Sequence, residues 1–501
     1  MMDFLRSVLN KHPQASQRFL EILPGFVSWN LILFPVWGAF FAPEAVAGFL
    51  MFFYVYWLVK SLNTAFMAWK SQEKIRDHSD KDFLPELKAE ADVSRMKHIV
   101  IIPTYKEPAH TLIRTLEALE AQTLGSEHII PVIAFEERAG DEINASREAA
   151  IRVRFSNTFD RLLFTRHPAA IPGEVVGKSS NMAWAAREVQ KVVEKESPWD
   201  RDYLTVTSVD SDVCFHANHF ASLTLNFLRS KSRHRRIWQG AIMFYNNIDK
   251  IPMVMRVFNR LFTVISISGL ARENGRMNFS SYSLSWRLLE HIGFWDVDVI
   301  PEDFRVFFKS YFATAGEVKV EPIWLPVMAD AAEADGFWST FVNTYEQVKR
   351  WAWGASDDSY ILKRWIQDTR APFLDKTVRV FQILEIHFLW PVNWFILMIG
   401  IPLLQLVNPV FMLSDLGQAL MTLTGWTLLP TIFALVVFLL VDLRSQPNFK
   451  NLSLARKVLY PLEMLFITPI SSLVFSALPS LDAHTRLLAG KYLEYRVTEK
   501  V

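Results

Sequence analysis

Leu204-Thr-Val-Thr-Ser-Val-Asp210-Ser-Asp212-Val213 is an apolar, β-branched run that stops at two carboxylates one residue apart. Such a run reads as a buried strand, and alternation along extended chain turns both carboxylates to one side where the strand ends. Convergent carboxylates offer hard oxygen ligands to Mg²⁺ or Mn²⁺, a cation that also holds a substrate's phosphates. The same triplet fits a turn or a cap, so its meaning depends on what surrounds it.

The surroundings read as α/β. Residues 98–103, His-Ile-Val-Ile-Ile-Pro, suit a buried parallel strand, 112–122 a helix and 128–135 a second strand. An acidic, polar loop is expected at 136–144, then a helix over 147–159 with Ser146 as its N-cap. A short strand at 161–165 and a helix over 180–193 precede the strand 204–209. Strands alternating with helices predict a doubly wound, Rossmann-like sheet, with its ligand site beyond the strands' carboxyl ends.

The rest of the chain is more apolar than such a domain needs. Of 501 residues 51% are hydrophobic, and the net charge of +1 gives no basic field for nucleic acid. Segments 22–42 and 45–69, joined by a Pro43-Glu44 turn, are each long enough to span a bilayer, and no small-residue cleavage pattern marks the first as a signal peptide. Further apolar segments lie at 381–407, 425–441 and 458–481. Lys70, Lys74 and Arg76 follow the second segment, and Arg444, Lys450, Arg456 and Lys457 precede the last. These cations predict a cytoplasmic N-terminus and central domain in the inner or plasma membrane. Arg486, Lys491, Arg496 and Lys500 put the tail on that side too, which a full final span contradicts; with Pro469 in its middle, 458–481 is read as a re-entrant element, an ordinary span kinked at the proline being the alternative. The expected organisation is an N-terminus (1–21), a membrane hairpin (22–69), an amphipathic linker (70–93), the α/β domain (94–345), interfacial helices (346–375), membrane or re-entrant helices (376–481) and a tail (482–501). The lone Cys214 excludes an internal disulfide and reads as a buried small hydrophobe.

Five further motifs accompany Asp210 and Asp212. Pro103-Thr-Tyr105-Lys-Glu107 follows a strand, where an aromatic and hydrogen-bonding groups can hold a nucleobase or simply form a loop, and Phe135-Glu136-Glu-Arg138 follows another, placing acidic groups at the sheet's carboxyl edge. Gly177-Lys178-Ser-Ser180-Asn181 opens a helix, where a cation suits a diphosphate and Ser180 equally suits a cap. Glu302-Asp303 begins another helix; a carboxylate there can take a proton from a hydroxyl, or simply favour the helix dipole. Gln347 and Arg350 are helical neighbours, with Trp351 next to them. His216 and His219 offer a third metal ligand or a packing role.

This order of motifs, set between apolar segments, resembles family 2 glycosyltransferases, and more narrowly the membrane-integrated branch that includes cellulose and hyaluronan synthases. The resemblance runs from about residue 97 to 354. It implies a GT-A-type domain inserted between transmembrane helices, a nucleotide diphosphate sugar as donor, Mg²⁺ or Mn²⁺ as cofactor, and inversion in a single displacement. Carried over residue by residue, it gives Tyr105, Glu107 and Glu136 to the nucleoside, Lys178 to the diphosphate, and Asp210 and Asp212 to ribose and metal. It makes Asp303 the general base beside Glu302, and gives Gln347, Arg350 and Trp351 to the diphosphate and the acceptor entrance. The acceptor is a glycan or a lipid-linked glycan at the bilayer, in polysaccharide synthesis or in single additions. Lys106 and Glu136 stand where the family has Asn and Asp, and Asn278-Phe-Ser-Ser-Tyr282 lacks the Cys-Gly pair common in the synthases. The competing readings are a non-catalytic assembly or nucleotide-sensing protein, and a transporter using Glu385, His387 and Glu463.

Overall fold

The computed structural model describes residues 2–195, 199–273, 275–447 and 449–493. Arg496, Lys500 and the side chain of Lys450, used above to orient the chain, lie outside the described residues. Eight strands form one sheet: β1 (Lys97–Thr104), β2 (Ile129–Glu136), β3 (Leu163–His167), β4 (Leu204–Ser208), β5 (Cys214–Phe215), β6 (Arg236–Met243), β7 (Tyr282–Ser285) and β8 (Lys319–Met328). Their order is β3-β2-β1-β4-β7-β6-β8-β5.

The apolar run of β1 explains the sheet's position. Ile99 and Ile101 face one core, together with Val206 and Leu284, while Val100 and Ile102 face a second core with Ile133 and Leu325. Each is fully removed from solvent, worth about 1.5–3 kcal/mol per side chain. β1, β2, β3 and β4 are parallel, as expected. The expected fully doubly wound sheet is corrected beyond them, because β7 runs antiparallel to both β4 and β6, and β5 antiparallel to β8. The β4–β7 pairing sets Ser208 opposite Tyr282, so the chain enters β7 at the edge where β4 leaves the sheet.

The expected loop at 136–144 and the helix starting at Ser146 are also corrected. The helix spans Asp141–Arg154 and starts from Gly140, whose φ of 99° glycine adopts without penalty. Ser146 therefore lies within the helix.

Among the described residues, five helices are long and apolar enough to cross a membrane: Pro13–Phe41, Pro43–Ser79, Met253–Ala271, Asp415–Ser445 and Leu454–Leu488. The second continues directly into the first ten residues of the expected linker, 70–79. The helix Met253–Ala271 falls within the segment read as soluble domain. Its Arg260 is fully buried and pairs with Asp442 of the Asp415–Ser445 helix at 2.5 Å. The break expected around Pro469 lies elsewhere. Pro461 and Pro469 sit inside the Leu454–Ser472 helix, which continues through a π-helical stretch at Leu473–Ala477. The bend of 57° separates Phe373–Leu389 from Asn393–Val407. Pro391 stands at that break, where it has no N–H to continue the helical ladder.

Candidate active site

The parallel register brings three motifs to one edge. β1 ends at Thr104 opposite Phe135 of β2, and β4 leads directly to Asp210. One cavity of about 1210 Å³ opens there, and all of Tyr105, Glu107, Glu136, Lys178, Asp210, Asp212, Glu302, Asp303, Gln347, Arg350 and Trp351 line it. His216 and His219 do not line it. His219 is buried against Phe215, with ring centroids 4.5 Å apart, and His216 accepts the backbone N–H of Asn218, so packing is the role the structure shows.

At one end, Glu107 accepts hydrogen bonds from the Tyr105 backbone N–H at 2.7 Å and the Thr104 hydroxyl at 2.8 Å. Arg147 donates to the Tyr105 and Glu107 carbonyls, fixing the turn from behind. Tyr105 then presents its ring under the Arg138 guanidinium, 4.8 Å from the ring centroid. Arg138 is also ion-paired with Glu136. Burial pushes the Glu136 carboxyl up from its ordinary value, and Arg138 partly offsets that. Arg138 is thus central to this end, although the sequence showed it only as part of a loop.

At the other end Lys178 bridges two carboxylates. Its Nζ lies 2.9 Å from Asp210 and 3.0 Å from Glu302, and donates to the Ser280 carbonyl at 2.9 Å. Burial works against the charged ammonium, yet Asp210, Glu302 and Asp303 together hold its pKa well above the ordinary value. The rest of the Gly177–Asn181 motif anchors the helix. Ser179 donates to the Asp296 carbonyl, Ser180 to Gly177 and Asn181 to Ala134 at the end of β2. Ser180 therefore donates backward and does not cap.

Ser280 ties this end together. Its backbone N–H donates to Asp303 Oδ2 and its hydroxyl to Asp210 Oδ2, both at 2.9 Å. It holds φ at 57°, the left-handed region, which costs a non-glycine residue about 1–3 kcal/mol. The sequence signal was only a departure from the synthases' Cys-Gly pattern. The structure explains the residue through the entry to β7 beside Asp210. Asp303 is pushed well above the ordinary carboxylate range by burial and by neighbouring Glu302, against the opposing pull of Lys178 and the Ser280 N–H.

Asp212 is fully buried and accepts the Asp330 backbone N–H at 2.8 Å, while Arg114 bonds both Asp330 and the Asp212 carbonyl. Among the described residues, no group of three or more His, Cys, Asp and Glu converges as a metal cluster. Two carboxylates with phosphate and water completing the shell is how Mg²⁺ is commonly held, so the donor set fits a hard cation brought in with a diphosphate. Gln347 and Arg350 come from the helix Phe337–Ala352. Trp351 stacks on Phe262 with centroids 4.8 Å apart and also meets Phe244 and Phe258, joining that helix to Met253–Ser268. Each such aromatic pair contributes about 0.5–1.5 kcal/mol.

Cys214 is half-buried, and burial raises its thiol pKa, so it is no ready nucleophile. Of the residues considered for transport, Glu463 pairs with Arg256, His387 with Asp358 and Glu385 with Lys60.

The model of glycosyl transferase family group 2 matches residues 205–441, just under half of the chain, from β4 to the long helix that ends at Ser445. The resemblance to family 2 glycosyltransferases therefore holds over that stretch, and the fold is a GT-A-type α/β domain set among apolar helices. No curated protein matches the chain. Among solved structures, the mannosyltransferase PcManGT from Pyrobaculum calidifontis, in complex with GDP-mannose and Mn²⁺, is 14% identical, with 79% of this chain and 99% of that one covered and a TM-score of 0.42. Residues 1–349 of S. aureus TarS, in complex with UDP-GlcNAc, are 13% identical, with 80% and 93% covered and a TM-score of 0.36.

Proposed function

We propose that this chain, with its family group 2 glycosyltransferase segment, is a membrane-embedded inverting glycosyltransferase. It moves a sugar from a nucleotide diphosphate donor to a glycan or lipid-linked acceptor at the cytoplasmic face, in polysaccharide synthesis. One observation carries this reading: the candidate base, the diphosphate cation and the carboxylate pair line a single cavity that continues among the apolar helices.

The chemistry follows from what each group can do. Tyr105, Glu107 and Glu136 would grip the nucleoside, while Lys178 and Arg350 would neutralise the diphosphate and Gln347 would donate a hydrogen bond to it. Asp210 and Asp212 would hold Mg²⁺ or Mn²⁺, a Lewis acid that draws charge from the leaving diphosphate. The acceptor hydroxyl oxygen forms a bond to the anomeric carbon as the carbon–oxygen bond to phosphate breaks. The electron pair leaves with the diphosphate, and Asp303 takes the hydroxyl proton. Its raised pKa makes Asp303 a stronger base than an exposed aspartate. Attack opposite the departing group inverts the anomeric centre.

The test is purified full-length protein in nanodiscs, offered radiolabelled nucleotide sugars with Mg²⁺ or Mn²⁺. Transfer from one donor, abolished in folded Asp212→Ala, supports the reading. Full activity in that variant removes the assignment.

A further inference from the structure

The part of the cavity that runs among the apolar helices differs in chemistry from the catalytic end. Tyr54, Trp57, Leu397, Met398, Leu435 and Phe466 line it. Hydroxyl and indole groups in its walls are mostly taken up by the protein itself, with Ser472 Oγ and Asn393 Oδ1 left unpartnered. The Tyr54 hydroxyl donates to the Leu397 carbonyl, and the Trp390 indole to Ser476. Thr424, Thr427 and Thr431 also line the wall, and each donates its hydroxyl to a carbonyl of its own helix. A sugar polymer would find few free donors on such a surface, whereas an alkyl or isoprenoid chain requires none.

Between this apolar part and the catalytic end sit Lys60, Arg272, Arg276 and Glu385, three cations against one carboxylate. Glu385 engages Lys60 at 2.6 Å and also takes the Tyr56 hydroxyl. Arg276 is held by the Leu270 and Val320 carbonyls and approaches Glu321 at 3.8 Å. Arg272 is different. Its Nε is buried without a hydrogen-bond partner, and its charge acts on the Lys60, Tyr56 and Glu385 cluster. Lys60 lies sixteen residues beyond Glu44, at the start of the Pro43–Ser79 helix. That is about 24 Å of helix, close to the full depth of a bilayer's hydrocarbon core. A span that begins at Glu44 therefore has Lys60 in its catalytic-domain half.

We propose that Arg272 and Lys60 form a phosphate subsite for the acceptor, which is a long-chain lipid headed by a phosphate or diphosphate. The chain lies in the apolar part of the cavity, the phosphate meets the two cations, and a hydroxyl of the sugar carried on that phosphate reaches towards Asp303, which takes its proton. This rests on the glycosyltransferase reading and names its acceptor class.

Full-length protein in detergent is offered undecaprenyl phosphate, undecaprenol, phosphatidylglycerol or inorganic phosphate, and bound species are measured by native mass spectrometry. A nucleoside diphosphate with Mg²⁺ is titrated in parallel. The expected result is that undecaprenyl phosphate binds about ten-fold or more tightly than undecaprenol and phosphatidylglycerol, the scale of a hydrogen bond to a charged group. Arg272→Gln and Lys60→Met should lose that preference, Arg272→Lys should recover part of it, and nucleotide binding should be unchanged in all three. Equal binding of alcohol and phosphate lipids overturns the proposal, as does equal binding of phosphatidylglycerol, displacement by equimolar inorganic phosphate, or an unaltered preference in folded Arg272→Gln. Loss of nucleotide binding by the unsubstituted protein would instead count against the glycosyltransferase reading.

Discussion

Replacing Asp303 by Asn keeps the side chain's shape and its acceptor for the Ser280 N–H, but removes the basic oxygen. Losing a positioned general base slows a reaction about 10²–10⁴-fold. At about 1.36 kcal/mol per decade, that is roughly 3–5 kcal/mol of barrier. Stability should move the other way. Burial and Glu302 raise the folded-state pKa of Asp303, so the stability it contributes is complete below its unfolded value of about 3.9 and is lost as pH rises through the raised value. Each unit of that rise corresponds to about 1.4 kcal/mol by pH 8, and asparagine carries no such penalty. Initial rates from pH 6 to 9 and thermal unfolding in the same detergent test both parts. The wild-type rate should climb with pH to a plateau, while Asp303→Asn should be slow throughout and unfold no earlier than wild type at pH 8. A variant within ten-fold of wild-type rate refutes the base assignment. A variant markedly less stable at pH 8 than wild type refutes the electrostatic argument.

Lys178→Met should weaken nucleotide diphosphate binding and shift the acidic limb of the rate profile to higher pH, because Lys178 lowers the pKa of Asp303, and Lys178→Arg should restore part of both; pH–rate profiles with donor titrations check this. Ser280→Ala removes the hydroxyl on Asp210 and keeps the N–H on Asp303, so donor affinity should fall by about ten-fold with the pH limb unmoved, as kinetics against donor concentration would show. Arg260→Met leaves Asp442 as a buried, unpaired charge between two membrane-type helices and should cost about 3–5 kcal/mol, read as an early transition in thermal unfolding; the double replacement with Asp442→Leu should recover much of it.

The parallel half of the sheet and the gathering of Asp210, Tyr105 and Glu136 at one edge were legible because β-branched runs end in polar motifs, and parallel strands bring such ends together. β7 was not legible. Tyr282–Ser285 carries too few apolar residues to mark a strand, and its direction is set by pairing with β4 and β6. The roles of Ser280 and Arg138 depend on that pairing and on the turn after β2, neither of which has a local signature. In the membrane part, Pro469 drew attention because prolines disrupt helices, yet Leu454–Ser472 passes through it, and the sharp bend lies at Pro391, between Phe373–Leu389 and Asn393–Val407. Polar residues such as Arg260 hid the apolar character of Met253–Ala271, because their partners lie nearly two hundred residues away.

The most direct test of the central claim follows the anomeric centre. Full-length protein in nanodiscs is given the donor selected from the nucleotide-sugar panel and an acceptor, and the product linkage is read by NMR. An α-linked donor should give a β-linked product, formed about 100-fold or more slowly by Asp303→Asn. A product retaining the donor's configuration, or sugar transfer undiminished in that variant, would contradict the single-displacement site built around Asp303, Lys178 and the carboxylates Asp210 and Asp212.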